Sequence, residues 1–429
     1  MAIDKQQEFR DFILRRIRDG IYPGGSKLPG SRELVEPSGC AFTVVQTALN
    51  SLVREGILYS VPRQGTYVRD DWNQRILPEN LRVFSPFWEK FLYKTLPAVL
   101  PQLRPTQAFQ SGAFEIRFTN ESIQHQQEYQ DLSEFVEELY PGCQGLFQSR
   151  INEYRDIDGK LFGLPLIFSP WIVCCNREII EEGGGWLPSE SWDWEELLEL
   201  IRTLRKKLPP EKAFAPFGQL ASLLTLYFHL GGETWDREQV KINTPESLRA
   251  IRELQKLCRI SGAPLNTQVK PGLAAITLCT SADITSGNIE DQYFLPLPRV
   301  SKVPQRTLMG GSLLCVRRMV SDFDLVRKLV RYLLSDEFQQ ELCRARNGFP
   351  IRKQIAAEFM ETNNQLDRLT MSEMPRIVST GFSLSPAAGR IFTGELRELL
   401  KTGETPENSL IQLQTAVEML LKYNSIWLK

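Results

Sequence analysis

The stretch that decides the N-terminal fold is residues 20–69, GIYPGGSKLPGSRELVEPSGCAFTVVQTALNSLVREGILYSVPRQGTYVR. Over residues 45–53, apolar side chains recur at helical spacing and polar ones fall on the opposite face. A β-type run then starts at Ile57 and a second one at Thr66. The short loop between them ends at Gly65, which tolerates positive φ. The pattern predicts a helix, a turn, a second helix and a two-stranded hairpin, which is the order of elements in a winged helix.

Residues 4–19, which precede this stretch, are expected to form the first helix of the same domain. Gly20 is the residue type that commonly stands just past a helix C-terminus. Ser31 is predicted to be the N-cap of a short helix over 32–35, and residues 37–39 supply the turn into the next helix. The apolar residues that share one face of the first helix are Phe9, Phe12, Ile13 and Ile17.

Together these residues resemble the GntR family of bacterial transcription regulators. The positions that carry the resemblance are Tyr22–Pro29, Arg32–Leu34, Ala48–Leu49, Leu52, Glu55–Gly56 and Gly65–Thr66. The resemblance implies a winged-helix DNA-binding domain over residues 1–70. In such a domain the N-terminal half of the helix over 42–55 enters the major groove, and the hairpin tip reaches the adjacent backbone or minor groove.

The resemblance also assigns the residues expected at DNA. They are Arg32, Phe42, Thr43, Gln46 and Thr47 around the recognition helix, and Gln64 and Gly65 at the tip of the wing. The Gln46 amide has the donor and acceptor needed to read adenine, and the Thr43 hydroxyl suits a phosphate or a base edge.

The recognition helix also departs from the family pattern. Ala41-Phe42 stands where the family commonly has Ser-Arg, and Gln46 stands where it has a second Arg. The loss of two basic contacts predicts weaker non-specific DNA binding. Two interpretations of Phe42 stay open: it packs on a thymine methyl group, or it is a core residue in a domain that has lost strong DNA binding.

Composition and charge favour a cytoplasmic globular protein of two or three domains. The chain has 429 residues and a formal charge of −1, and residues 1–69 hold ten Lys and Arg against seven Asp and Glu. It shows neither a signal peptide nor a run of the ~18 apolar residues that a membrane span needs. The eight cysteines have no Cys-x-x-Cys spacing and are expected to be reduced. The adjacent pair Cys174-Cys175 fits small strand residues better than a redox switch.

Residues 71–80 are polar and contain Pro78, so they are predicted to be a linker. From residue 81, strand and helix patterns alternate, which predicts α/β layers and a mostly parallel sheet. A strand is expected over 81–84, and a helix over 88–103 with Val99 among its inward side chains.

Residues 81–429 resemble the family 1 extracellular solute-binding proteins, the maltose-binding-protein type. The matching segments, in order, are Asp158–Pro165, Trp171–Asn176, Ser191–Leu198, Gly231–Gly232, Pro245–Ser247, Ala274–Ile276, Leu295–Pro298, Gly310–Ser312, Gly348–Arg352 and Glu395–Leu421. One departure is Cys174-Cys175, which replaces the usual aromatic pair. The resemblance implies a periplasmic-binding-protein-like domain whose two α/β lobes, joined by a hinge, close on a solute such as a sugar.

Side chains in the loops that follow the strands are expected to hold this ligand, because aromatic faces and polar groups recognise sugars. The candidates are Ser85, Trp88, Asn120, Glu121, Trp171 in a loop, Trp235, Asp236, Ser281, Asp283, and Gly310, Gly311 and Ser312 in a tight turn. Trp88 fits a core position about as well, and Trp192 and Trp194 are expected to be packing residues at a helix start.

No catalytic or metal-binding motif accompanies these features, so the sequence predicts no enzyme, cofactor or metal. His229 lies in an apolar segment and is expected to be a core residue. The prediction is a sugar-responsive transcription regulator that binds double-stranded operator DNA as a homodimer, with ligand closure altering DNA binding. The alternative is a winged helix fused to an aminotransferase-like domain that binds pyridoxal phosphate, although no stretch suits its Schiff-base lysine.

Overall fold

A computed structural model of the protein describes residues 2–426 except 19, 55, 73–79, 102, 108–112, 119–122, 124, 216–219, 264–268, 285–291, 319, 321, 346–347 and 360–364. The chain divides into two compact units. Unit 1 comprises Met1–Ile116 and Cys315–Leu329, and unit 2 comprises Arg117–Leu314 and Val330–Lys429. The domain boundaries expected at residues 70 and 81 stay predictions, because most of the intervening segment lies outside the described residues.

The N-terminal part of unit 1 is a winged helix. Its elements are α1 (Ala2–Arg18), α2 (Val35–Ser38), α3 (Phe42–Arg54), β1 (Leu58–Val61) and β2 (Gly65–Val68). The apolar faces of α1 and α3 meet in a core that β1 and β2 complete. Its fully or almost fully buried residues include Phe9, Ile13, Ile17, Val45, Ala48, Leu49, Leu52 and Val68. The helical periodicity read from the sequence therefore marks the core face of both helices.

The turn before the recognition helix differs from the expectation. Helix α2 begins at Val35 and has no side-chain cap, so the predicted N-cap role of Ser31 is wrong. Residues 31–34 form a turn in which Leu34 N–H donates to Gly30 O, and the Glu33 carboxylate accepts the Gly30 N–H at 2.9 Å. Gly39 ends α2 at φ 65°, a left-handed conformation that glycine adopts at little cost.

The wing is a regular antiparallel hairpin in which Leu58 pairs with Val68 and Val61 with Gly65. Its tip has a left-handed Arg63 at φ 63°, followed by Gly65 at φ 124°. A Cβ on Gly65 would lie 2.8 Å from Lys27 Cε, which is part of a flexible side chain, so the positive φ is the reason that this position favours glycine.

The remainder of unit 1 contains β3 (Asn80–Val83), α4 (Pro86–Thr95), β4 (Arg104–Thr106) and the start of β5 (Phe114–Phe118). Strand β3 pairs in parallel with β4 and with β5, as the alternating pattern predicted. Helix α4 ends earlier than expected, because a 3₁₀ turn with Pro97 follows it. Val99 is consequently 52% exposed, and the prediction that it points inward is wrong.

Unit 2 carries most of the secondary structure. Its strands are β6 (Leu164–Asn176), β7 (Phe214–Ala215), β8 (Ile276–Thr280), β9 (Gln292–Leu295), β10 (Met309–Val316, of which the last two residues belong to unit 1) and β11 (Phe349–Pro350). Its helices are α5 (Ser133–Leu139), α6 (Gln148–Asn152), α7 (Arg177–Glu182), α8 (Trp194–Leu204), α9 (Pro210–Ala213), α10 (Leu220–His229), α11 (Pro245–Ser261), α12 (Phe323–Leu333, which starts in unit 1), α13 (Asp336–Arg344), α14 (Lys353–Phe359), α15 (Gln365–Glu373), α16 (Pro386–Thr402) and α17 (Glu407–Ile426).

The long strand β6 organises this unit. It pairs antiparallel with β8 and β9 along its C-terminal half, and with β10 and β11 along its N-terminal half. The expectation of a mostly parallel sheet is therefore wrong for unit 2, where β7 with β8 is a parallel pair. All residues of β6 except the last are buried, so alternation of polar and apolar residues, which reveals a half-exposed strand, is absent.

The core of unit 2 forms where α8, α10, α11, α16 and α17 pack with one another and with β6 and β8. Cys174 and Cys175 are fully buried free thiols in β6, as expected for small strand residues. His229 is buried as expected. Among the described helices, none combines the length and the hydropathy needed to cross a bilayer.

Candidate functional sites

The first candidate site is the solvent-facing side of α3. Phe42, Thr43, Gln46 and Thr47 are all exposed there, whereas the residues of the opposite face are buried. Phe42 is 45% exposed, which contradicts the interpretation that it is a core residue. The Thr47 hydroxyl donates to Thr43 O at 2.8 Å, so in this conformation its proton is used within the helix. The first two turns of α3 thus present an aromatic ring, two hydroxyls and an amide to solvent.

The remaining residues predicted at DNA are also on the surface. Arg32, Gln64 and Gly65 are exposed, the last two at the tip of the wing. The sequence reading missed Arg63, an exposed cation at that tip, whose left-handed φ of 63° gave no signal in the sequence. The predicted set therefore lies on the surface of one small domain, where docking to a duplex needs no rearrangement of its core.

The second candidate site is a polar cluster in unit 2, built on β6 and on the residues that follow β8. Ser169 Oγ lies 2.7 Å from Ser281 Oγ and also accepts the Ser281 N–H at 3.0 Å. Thr280 donates to the Asp283 carboxylate through both its N–H and its hydroxyl, each at 2.8 Å. We call Ser169, Trp171, Thr280, Ser281 and Asp283 the strand cluster. Its members belong to β6, to the last residue of β8 and to the 3₁₀ turn that follows β8, and hydrogen bonds hold that turn in place.

Trp171 is the member of the strand cluster with an unused polar group. It lies within β6, not in a loop as predicted, and only 2% of it is exposed. Its indole N–H has no acceptor among the described residues, whereas its carbonyl accepts the Thr307 hydroxyl at 3.0 Å. A buried N–H without a partner costs about 1–3 kcal/mol. An acceptor atom supplied by a bound molecule would remove that cost.

Gly310 on β10 lies next to this N–H. A Cβ at Gly310 would stand 3.7 Å from Trp171 Nε1 and 3.0 Å from Thr280 Cγ2. A side chain at this position would therefore crowd Thr280 and touch the indole nitrogen. Burial is the main cause that raises the pKa of the Asp283 carboxyl above its usual range, and its bonds to Thr280 oppose this shift.

Two other predicted ligand residues already make contacts within the protein. Trp235 is buried, stacks on Phe382 with ring centroids 5.3 Å apart, and donates its indole N–H to Gly381 O at 2.8 Å. Asp236 is exposed and accepts the N–H groups of the two turn residues Glu238 and Gln239, which lower the pKa of its carboxyl. These contacts indicate packing and turn formation, and ligand binding by either residue stays a prediction.

The other ligand candidates are spread over strands and a helix start. Gly311 and Ser312 lie in β10, so the predicted tight turn is wrong: they face Phe168 and Ile167 of β6 in regular pairing. In unit 1, Ser85 caps α4 by accepting the Trp88 N–H at 3.3 Å.

Trp88 itself is 2% exposed and packs edge-on against Phe87, so it is a core side chain. Trp192 and Trp194 are buried as expected. Asn120 and Glu121 lie outside the described residues.

The sequence reading missed Ser169, Thr280 and Thr307. Ser169 offered one signal, because it is the single polar residue in the run Leu164–Cys175. No group of three or more potential metal ligands occurs in the described part of the chain.

Comparison with known families bears directly on the first site. Residues 5–68 match the gntR family of bacterial regulatory proteins. The N-terminal domain is a GntR-family winged helix. The exposed face of α3 and the wing tip are therefore the surfaces of a domain whose family acts in bacterial regulation. No curated protein matches the sequence.

The rest of the chain has the two-lobed fold of ABC-transporter solute-binding proteins. A protein from Thermotoga lettingae with bound α-D-tagatose matches at a TM-score of 0.66 and 14% identity, covering 80% of this chain and 99% of that one. Maltose-bound MalE3 of T. maritima matches at 0.63 and 13%, with 80% and 99% coverage. UgpB of Mycobacterium tuberculosis, in complex with glycerophosphocholine, matches at 0.62 and 13%, with 81% and 99% coverage. At these identities the likeness establishes the fold, and it does not favour the aminotransferase-like alternative.

Proposed function

We propose that this protein is a transcription regulator that binds operator DNA through its GntR-type winged helix and senses a small polar solute, a mono- or oligosaccharide, through its solute-binding-like domain. The observation that carries the DNA-binding half is the exposed polar face of α3 beside the wing, in a domain that matches a family of bacterial regulators. Because this role requires access to the chromosome, we place the protein in the bacterial cytoplasm.

The ligand half rests on the unpartnered indole N–H of Trp171 beside Gly310. A sugar hydroxyl is both donor and acceptor, so it can accept from Trp171 while it donates to a hydroxyl or carboxylate oxygen of the strand cluster. Two of the proteins with this fold carry tagatose and maltose, which favours a saccharide. UgpB carries glycerophosphocholine, so a non-sugar polyol ester is the second candidate class.

The proposed mechanism is linkage between ligand binding and DNA binding. A solute that binds closed lobes better than open ones shifts that equilibrium, and a homodimer converts the shift into a different spacing of its two winged helices. A coupling free energy of ~1–3 kcal/mol would change operator affinity by roughly 5–150-fold.

The DNA-binding half is tested by gel shift with the full-length protein and its own promoter region. Arg32→Ala together with Gln46→Ala should abolish the specific complex, because the variant loses a cation and a base-reading amide. Arg259→Ala is the matched control, since Arg259 is an exposed arginine on α11 without a partner among the described residues. Unchanged affinity in the double variant would show that another face of the domain contacts DNA.

The ligand half is tested by thermal shift of the purified protein with maltose, tagatose, mannitol and glycerophosphocholine. A ligand at 100 times its Kd adds about 2.7 kcal/mol to the stability of the domain that binds it. A thermal shift with glycerophosphocholine alone would support the sensor role and change the proposed ligand from a saccharide to a polyol ester. A blank result across all four compounds would refute the proposed ligand classes.

A further inference from the structure

Unit 2 contains a cavity of about 590 Å³ whose lining residues are all distinct from the strand cluster. It lies between the start of α8, the residue after α10, the middle of α11 and the loop that follows β9. This volume falls within the ~300–1,000 Å³ typical of small-molecule sites. The walls include the two arginines Arg249 and Arg299 and the buried ring of Trp194.

The carboxylates that line the cavity already have partners within the protein. Asp193 caps α8 by accepting the Glu196 N–H at 2.9 Å. Glu253 accepts the indole N–H of Trp194 at 2.9 Å and lies 3.5 Å from Lys256 Nζ. Glu195 also pairs with Lys256 at 3.1 Å. These acids are therefore engaged in capping and ion pairing.

Unlike the acids, the two arginines of the cavity have no side-chain partner among the described residues. Neither Arg249 nor Arg299 has a carboxylate or a hydrogen-bond acceptor for its guanidinium group among the described residues, although both are exposed to solvent. A guanidinium offers a planar fork of donors that matches carboxylate and phosphate oxygens. Arg249 and Arg299 are therefore the charged lining residues whose side chains have no partner among the described residues, and they stand beside three carboxylates that each have one.

The backbone holds Arg299 in a defined position. Its N–H donates to Trp192 O and its carbonyl accepts the Trp194 N–H, both at 2.9 Å. The buried His229 ring lies between the two ends of the loop that starts at Pro298: Nε2 is 2.6 Å from Pro298 O and Nδ1 is 2.8 Å from Arg306 O.

Arg249 is confined from one side. A Cβ on Gly231, which has φ 96°, would lie 3.3 Å from Arg249 Nη2, so the guanidinium lies on a glycine that leaves space for it. Main-chain hydrogen bonds at Arg299 and the glycine beside Arg249 therefore place both arginines at this cavity.

From this arrangement we propose that the cavity is a second ligand site, which binds a small organic anion through carboxylate or phosphate groups on Arg249 and Arg299. The site is independent of the sugar site, because it shares no residue with the strand cluster. A cell that regulates genes in response to a sugar would then supply two signals to one protein, a neutral solute and an anionic metabolite.

The test is isothermal titration of the full-length protein with citrate as the carboxylate probe and glucose 6-phosphate as the phosphate probe. We expect saturable binding of at least one probe, weakened at least tenfold in Arg299→Ala and in Arg249→Ala. Arg299→Lys should retain part of the affinity, since it keeps the charge and loses the fork. Binding should also weaken as KCl is raised, because the site is open to solvent.

Arg259→Ala is the matched control, an exposed arginine ten residues after Arg249 on α11, and it should bind like the original protein. Circular dichroism of each variant shows whether the fold is retained, and Arg299→Lys keeps the test decisive if an alanine variant misfolds. The proposal is overturned if neither probe binds saturably, if both cavity variants bind normally, or if Arg259→Ala loses as much affinity as they do. A maltose or tagatose thermal shift that persists in Arg299→Ala separates failure here from failure of the sugar sensor.

Discussion

Two neighbouring glycines of β10 provide a paired test of the proposed sugar site. Neither Gly310 nor Gly311 has a left-handed backbone, so alanine is tolerated conformationally at both. A methyl group at Gly310 would lie 3.0 Å from Thr280 Cγ2 and 3.7 Å from Trp171 Nε1. At Gly311 it would lie 2.5 Å from Ile167 O, a backbone atom of the paired strand β6. Both substitutions add one methyl group, and they differ in the atoms that lie closest to it.

The distances set different expected magnitudes. Thr280 Cγ2 is the end of a side chain and needs to move by a few tenths of an ångström, so Gly310→Ala should change stability by less than ~1 kcal/mol. The new methyl group, however, occupies the space beside the Trp171 N–H. Loss of a ligand hydrogen bond to that N–H costs about 1–3 kcal/mol, which is roughly a 5–150-fold loss of affinity. Gly311→Ala forces β10 away from β6 and should cost about 1–3 kcal/mol of folding free energy.

The assay combines a thermal melt of each variant without ligand and a titration with whichever of maltose, tagatose or mannitol stabilises the original protein. Gly310→Ala should melt within about 4 °C of the original and bind the sugar weakly. Gly311→Ala should melt several degrees lower, because each kcal/mol corresponds to ~2–4 °C in a domain of this size class. Undiminished sugar affinity in Gly310→Ala would refute the assignment of Trp171 as a ligand donor. An undisturbed melting temperature in Gly311→Ala would refute the close approach of β10 to β6.

Three further predictions concern other parts of the chain. Phe42→Arg should strengthen non-specific DNA binding, because it adds one phosphate contact. The slope of log affinity against log salt concentration should become steeper by about 0.9, measured by fluorescence anisotropy at several KCl concentrations. An unchanged slope would place Phe42 away from DNA. Burial is the main cause that lowers the pKa of His229, and the Arg376 charge adds to it while the carbonyls of Pro298 and Arg306 oppose it. The unfolded chain then binds a proton at this residue that the folded chain lacks. The free energy of unfolding in urea of the original protein, taken relative to that of His229→Gln at each pH, should therefore fall as the pH drops below ~6.5, by at most ~1.4 kcal/mol per pH unit. The difference between the two proteins is the quantity to compare, because Glu153, whose carboxyl pKa is raised to about 7 by burial, contributes a slope of opposite sign to both. A difference that rises instead would mean that both ring nitrogens donate to carbonyls. Trp235→Ala should destabilise the protein by ~3–5 kcal/mol in the same assay, whereas Trp186→Ala, at a tryptophan that is 40% exposed, should have little effect; equal effects would exclude a core role for Trp235.

DNA binding and ligand binding, the two parts of the proposed function, can be tested independently. The winged helix has its own core of residues from α1, α3 and the hairpin, so substitutions on the exposed face of α3 leave that core intact. The strand cluster lies in unit 2, among the strands that pair with β6. A variant that loses DNA binding and keeps its sugar-induced thermal shift, and a variant with the reverse behaviour, would together assign the two activities to the two parts of the chain.

Local periodicity and turn chemistry were enough to place the winged helix. The stripe from Val45 to Leu52 and the Gly65 turn define α3 and the wing because short-range patterns decide which face is buried and where a hairpin reverses. Exposure of Gln46 and Thr43 follows from the same periodicity. The order of motifs after residue 81 likewise indicated a solute-binding fold, which the structural comparisons confirm.

Tertiary structure alone decided which polar groups meet. Ser169 and Ser281 are 112 positions apart, and nothing in either local sequence indicates that their hydroxyls lie 2.7 Å apart. The antiparallel pairing of β6 produces that contact, and a strand buried on both faces has no alternating pattern from which partners are read. The N–H of Trp171 and the guanidinium groups of Arg249 and Arg299 have no partner in the described part of the chain, and this too is visible only in three dimensions. Whether a donor has a partner depends on packing between residues distant in sequence.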